Sequence, residues 1–209
     1  MTNYLFRLVL IAFAVVFSLS ASAANGPEKL RLFLNDLTTL SAKFEQSVLD
    51  VENGTSGRFQ GTLHVSRPGK FLWDYFEPTP KQILADGDTV YIIDEDLEQI
   101  TYISQERALK GTPASILIKQ GNIEDRFEII DIGESQNMAW VELIPKDQDS
   151  QFVRVLLAFL GDNLRRMEMT DQLGQITRFQ FYDIERNPEL DKDLFKFNQR
   201  QGFDFLNDY

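Results

Sequence analysis

From Ser41 onward, apolar and polar side chains alternate with a period of two through most of the chain, and this pattern constrains the fold more than any other feature. In the stretch 56–67, Phe59, Gly61, Leu63 and Val65 share one face, while Arg58, Gln60, Thr62, His64 and Ser66 share the other. Further strand-like runs cover 70–77, 82–85, 89–94, 99–103, 127–132, 138–144, 152–159, 164–169, 176–182 and 194–197. Turn formers separate them, among them Asn53-Gly54, Pro78-Thr79-Pro80, Asp86-Gly87, Leu173-Gly174 and Asn187-Pro188. Short runs at such close spacing predict one large, curved antiparallel sheet or barrel. Without a regular strand-helix-strand alternation, nothing calls for a parallel sheet.

Two segments depart from the period of two. Pro27 and Glu28 suit a first helical turn, and Leu30, Phe33, Leu34 and Leu37 then form one apolar stripe, predicting a helix that ends near Thr39 or Leu40. In 105–125, Thr112 is placed to cap a helix that Pro113 opens, with Ile116 and Leu117 on its apolar side and Gly121 to close it; Asn122 starts a further single turn. These are few covers for a sheet that is apolar on both sides. In 152–160, Phe152, Leu156, Ala158 and Leu160 oppose Val153, Val155, Leu157 and Phe159. Either the sheet curls until side chains fill its interior, or part of its concave face lines a cavity for a nonpolar ligand. Periodicity does not separate the two.

The N-terminus carries an address. Residues 8–19 form an apolar run of 12 behind Arg7, and Ala21 and Ala23 follow in the spacing that signal peptidase reads. The run is well short of the roughly 20 apolar residues needed to cross a bilayer. A signal peptide at 1–23 and a single mature domain at 24–209 are the expectation, with the product soluble in an exported compartment, the bacterial periplasm.

Composition narrows the chemistry. With Lys+Arg 21 against Asp+Glu 32, the net charge of −11 argues against nucleic acid or an anionic membrane surface as a partner. The chain has no Cys and one His, so a thiolate nucleophile, a disulfide and any site needing two imidazoles are excluded. His64 stands on the polar-alternating face, which assigns it to surface or structure. The carboxylate pairs Asp94/Asp96 and Asp191/Asp193 read as solvated turns, and neither a Gly-x-Ser-x-Gly nor a phosphate-cradling glycine motif is present. The chain is therefore not expected to be an enzyme or to hold a metal or cofactor.

Arg67 is the informative charge. Its strand parity places it with Phe59, Leu63 and Val65 on the apolar side, at a strand end before Pro68. Unless that end frays into solvent, the guanidinium needs acceptors: a carboxylate, or the free carbonyls at the end of a covering helix.

The run Arg67-Pro68-Gly69-Lys70-Phe71-Leu72-Trp73 resembles the Arg-Pro-x-x-Phe-x-Trp signature of the outer-membrane lipoprotein carrier family, LolA. Ser41-Ala42-Lys43-Phe44-Glu45-Gln46 is similar to the family's Ser-x-x-Phe-x-Gln. Asp86-Gly87 with Tyr91, and Gly111-Thr112-Pro113, also follow its order. The resemblance implies a mainly β fold, an open half-barrel of about eleven strands with a helical lid on its concave side. It implies a monomeric periplasmic chaperone that binds the acyl chains of lipoproteins, takes them from an inner-membrane ABC transporter and passes them to an outer-membrane receptor. Arg67, Thr112 and Pro113 become the expected lid-gating residues. Phe59, Leu63, Val65, Phe71, Trp73, Ile116 and Leu117 become the expected acyl pocket. Ala114-Ser115 departs from relatives that place a bulkier apolar residue there, and the tail 191–209 does not align. The lipid-anchored receptor of the same pathway needs an N-terminal Cys that this chain lacks. A periplasmic regulatory or sensor module with a similar half-barrel is the alternative reading.

Overall fold

A computed structural model describes residues 25–50, 54–109 and 114–207. The expected signal peptide, Thr112 and Pro113 lie outside the described residues. Helix α1 (Gly26–Leu34) opens as its sequence demands: Asn25 Oδ1 accepts the Glu28 amide at 3.0 Å and Pro27 occupies the first turn. The helix stops earlier than its apolar stripe suggests. Asn35 is already extended, and Asp36 takes a left-handed φ of 53°. Asn187 Oδ1 then accepts the amides of Thr38 and Thr39, which draws the chain into a strand from Thr39. Leu37 is buried beyond the turn and not along the helix.

Two antiparallel meanders follow. The first comprises β1 (Thr39–Asp50), β2 (Gly54–Ser66), β3 (Lys70–Glu77), β4 (Lys81–Asp86), β5 (Thr89–Asp94) and β6 (Gln99–Ser104). The second comprises β7 (Phe127–Ser135), β8 (Met138–Pro145), β9 (Phe152–Leu160), β10 (Asn163–Asp171) and β11 (Ile176–Arg186). They join where β1 pairs with β11, and β12 (Asp204–Asn207) adds to β6 as the one parallel pair of the described sheet. The order β12-β6-β5-β4-β3-β2-β1-β11-β10-β9-β8-β7 leaves β12 and β7 as separate edges, so the twelve-stranded sheet is an open, curved half-barrel.

This topology creates the lid. β6 and β7 stand near opposite edges, and the chain between them must cross the whole sheet. It does so over the concave face, through α2 (Gln105–Leu109), α3 (Ala114–Ile118) and a single 3-10 turn, Ile123–Asp125, capped by the Asn122 side chain. α1 covers β7, β8 and β9 from the same side. Its first residue sits so close to the sheet that a Cβ on Gly26 would lie 2.2 Å from the Trp140 carbonyl oxygen. Helices and concave face share one core, in which Leu30 and Phe33 of α1 meet Ile116, Leu117 and Ile118 of α3 and the inward residues of the strands.

The tail differs from the sequence expectation of a strand at 194–197. Residues Lys192–Phe195 form a 3-10 turn capped by Asp191, which buries Phe195 as a single anchor. Phe197 then stacks on Tyr91, ring centroids 4.1 Å apart, and β12 follows along the edge of β6. A tail fixed by isolated anchors has no periodicity to read.

Candidate functional site

The concave face holds an apolar cavity of about 440 Å³, within the roughly 300–1,000 Å³ range of small-molecule sites. β3 supplies one wall, because alternation brings Phe71, Trp73 and Tyr75 to the same side. Met167 and Met169 of β10 and Phe179 of β11 face them, Ile83, Val90 and Ile92 extend the wall, and Ala108, Leu109 and Ala114 of the lid close it above. Methionines are unbranched and polarisable, suited to a flexible apolar guest.

The floor is an aromatic cluster. Phe44 lies 5.6 Å from Trp73, 5.1 Å from Tyr75 and 5.8 Å from Phe179, all edge-on, and Trp73 lies 5.1 Å from Phe179. Gly61, opposite Phe44 and Tyr75 in the sheet, makes room: a Cβ there would fall 2.1 Å from the Asp74 carbonyl oxygen and 2.6 Å from the Phe44 ring. Gln46, two residues along from Phe44, accepts the Tyr75 hydroxyl at 2.8 Å. Burial holds the Tyr75 phenol well above its ordinary value, so it stays protonated and donating. The Trp73 indole N–H is buried with no acceptor.

Of the seven residues expected to form the pocket, the structure brings Phe71 and Trp73 to the cavity wall. Leu63, Val65, Ile116 and Leu117 are at most 2% exposed and belong to the core where α3 meets β2. Phe59 is half-buried midway along β2, its ring 6.2 Å from that of Tyr75. The remaining lining residues were not singled out from the sequence. Their alternation was visible, but their adjacency depends on strand order and on where the lid lies.

Arg67 stands at the other end of α3. Its Nε donates to the Leu117 carbonyl at 2.6 Å, Nη2 to Ile116 at 3.0 Å and Nη1 to the α1 residue Leu34 at 3.2 Å. One guanidinium thus satisfies orphan carbonyls at the ends of α1 and α3, where the helix dipole favours a cation. Its backbone is fixed too, the amide donating to Thr38 at 2.8 Å. Burial, with Arg126 adding like charge, pushes the Arg67 pKa down to about 10, which still leaves it charged near neutrality. An ion pair, Arg31 to Glu124 at 2.7 Å, ties α1 to the turn behind the lid. The Arg31 hydrogen bond holds the Glu124 carboxyl below its ordinary value.

His64 points away from the cavity, on the face shared with Ser41, and its Nδ1 is buried without a partner. Among the described residues no group of three or more His, Asp or Glu side chains is placed to hold a metal ion.

Residues 35–198 match the family model described as outer membrane lipoprotein carrier protein LolA. An outer-membrane lipoprotein carrier protein of Dechloromonas aromatica is 38% identical over 183 residues, covering 88% of each chain. One from Nitrosomonas europaea is 36% identical over 209 residues and the full length of both. The fold is shared with an uncharacterized conserved protein from Thermus thermophilus, at TM-score 0.54 and 10% identity over 87% of this chain and 96% of that one. A family match across the half-barrel and its lid, with full-length relatives above 30% identity, settles the assignment: the chain belongs to the outer membrane lipoprotein carrier protein LolA family, a family of periplasmic carriers.

Proposed function

We propose that the cavity beneath the lid takes the acyl chains of lipoproteins, which the protein accepts at the inner membrane from an ABC transporter and yields to a receptor at the outer membrane. The observation that carries this reading is the apolar cavity itself, walled by Phe71, Trp73, Met169 and Phe179 and roofed by a lid held through polar contacts at its edge. Each methylene moved from water into such a site contributes about 0.8 kcal/mol. A carrier needs that area, a water-compatible exterior and a gate, and it needs no nucleophile. The orphaned Trp73 N–H fits the same reading, since an ester carbonyl reaching the floor supplies its missing acceptor. In this reading residues 24–209 act as one monomeric domain exported by the segment 1–23, and Arg67 gates the lid together with the segment holding Thr112 and Pro113. Direction comes from competition, because cargo leaves only for a site that binds it better.

Co-purification tests the proposal. The mature protein is expected to retain an acylated lipoprotein in a one-to-one soluble complex and to lose the same polypeptide without its acyl groups. Equal recovery of both forms removes the acyl-pocket reading.

A further inference from the structure

The lid helix α3 is five residues long, too short to satisfy its own last turn, and its carbonyls are accounted for by donors from two sides. Arg67 and its turn serve one side: Ile116 and Leu117 bond to the guanidinium, and Ile118 accepts the Gly69 amide at 3.2 Å. The other side belongs to Arg126, which follows the turn Ile123–Asp125. Its Nη1 donates to the Ser115 carbonyl at 2.9 Å and reaches Ser115 Oγ at 3.4 Å. The Ser115 carbonyl also accepts the Lys119 amide, at 3.1 Å. Arg126 is half-buried, with its guanidinium 5.7 Å from the Phe127 ring centroid. Between Lys119 and Arg126 the chain turns through Gly121, with φ of 103° and open space where a Cβ would stand. The lid therefore lies between two cations on separate elements, joined to one of them through a permissive turn.

We propose that Arg126 is a second latch on the lid, a positioning residue that acts through Ser115 and must release, as Arg67 must, before the cavity opens fully. The two latches are distinct because they hold different carbonyls from different elements: Arg67 from the turn between β2 and β3, Arg126 from the start of β7. Burial, with Arg126 adding like charge, disfavours the charged Arg67 guanidinium, and the lid carbonyls it reaches offset this by accepting its hydrogen bonds. The gating role rests on the acyl-carrier reading, whereas the latch itself does not.

Two backbone amides report the two sides directly. Lys119 N–H is protected only while Ser115 is in place, and Gly69 N–H only while Ile118 is. Amide hydrogen exchange of the mature protein without cargo, followed residue by residue, is the test, with β8 amides of Val141 and Leu143 reporting global unfolding. Arg126→Leu is expected to speed exchange at Lys119 by about tenfold, the scale of one charge-assisted hydrogen bond, with β8 unchanged. Arg126→Lys, which keeps a charged donor, restores most of that protection. Arg67→Leu is expected to act first on Gly69, and the double variant on both. Lys119 exchange within twofold of wild type in Arg126→Leu overturns the proposal. So does a parallel rise at β8 in both Arg126→Leu and Arg126→Ala, which assigns Arg126 to global stability instead. Cargo binding is measured separately with a palmitoylated peptide. Its failure removes the carrier reading without touching the exchange result, and the converse holds.

Discussion

Arg67 and Leu117, fifty positions apart in the chain, meet in a hydrogen bond of 2.6 Å that joins the end of a sheet strand to the last turn of the lid. The same guanidinium reaches Leu34, so α1 and α3 converge on one side chain. Replacing it with leucine keeps apolar bulk and removes every donor. Charge-assisted hydrogen bonds contribute roughly 1.5–3 kcal/mol, so Arg67→Leu is expected to shift the lid toward open by about tenfold or more. On the proposed function, cargo binding is expected to persist because the cavity wall is untouched, and transfer to the receptor is expected to fall because lid closure would no longer help to expel acyl chains. Binding and transfer of the same loaded cargo, measured side by side, check this. Unchanged transfer refutes the gate, and lost binding moves Arg67 into the pocket or the folding core.

Core and cavity separate by mutation. Met169 lines the cavity and is partly buried, whereas Ile116 is fully buried and does not line it. Met169→Gln is expected to lower affinity for acylated cargo severalfold with the melting temperature nearly kept, by putting an amide where methylenes should lie. Ile116→Ala is expected to destabilise the protein by about 2–5 kcal/mol, the range for emptying a packed site. Thermal denaturation and cargo binding on both variants decide. A Met169→Gln protein that binds normally places the acyl chains elsewhere.

Gly61 admits no side chain. With the Asp74 carbonyl and the Phe44 ring already inside the space of a Cβ, Gly61→Ala must push the Phe44 ring off the floor or separate β2 from β3. Overpacking of this kind costs about 1–3 kcal/mol. The expectation is a lowered denaturation midpoint with altered near-ultraviolet signal from Trp73, and an unaltered midpoint contradicts the close packing described.

His64 predicts a pH effect whose sign follows from its burial. Desolvation lowers its pKa from the ordinary 6.5, Asp74 partly opposing, so the folded protein binds this proton less readily than the unfolded chain. The contribution is fully present above about 6.5 and is lost as pH falls through the lower folded-state value. Denaturation at pH 7 and pH 5 is expected to show a smaller loss of stability for His64→Gln than for wild type. Transfer of cargo should stay within about twofold, because the side chain faces away from the cavity. A tenfold loss of transfer in a folded variant brings the imidazole into the function.

Local rules wrote much of this molecule. The first turn of α1 at Pro27 and Glu28, the limits of β3 and β5, and the turn at Asn122 all follow from helix-start residues, caps, turn formers and a period of two, each acting over a few residues. Parity alone put Arg67 on the apolar side in need of acceptors. What parity does not contain is distance between strands. That Phe44 inserts beside Gly61, that Met169 faces Trp73 and that Leu63 and Val65 are sealed under α3 depend on β1 pairing with β11 and on the crossing from β6 to β7. An alternating strand looks the same whether its apolar side meets a helix or a cavity. Only the closure of the lid over part of the sheet divides one greasy face into a packed core and a space for a guest, because burial is a property of what lies across from a residue and not of the residue itself.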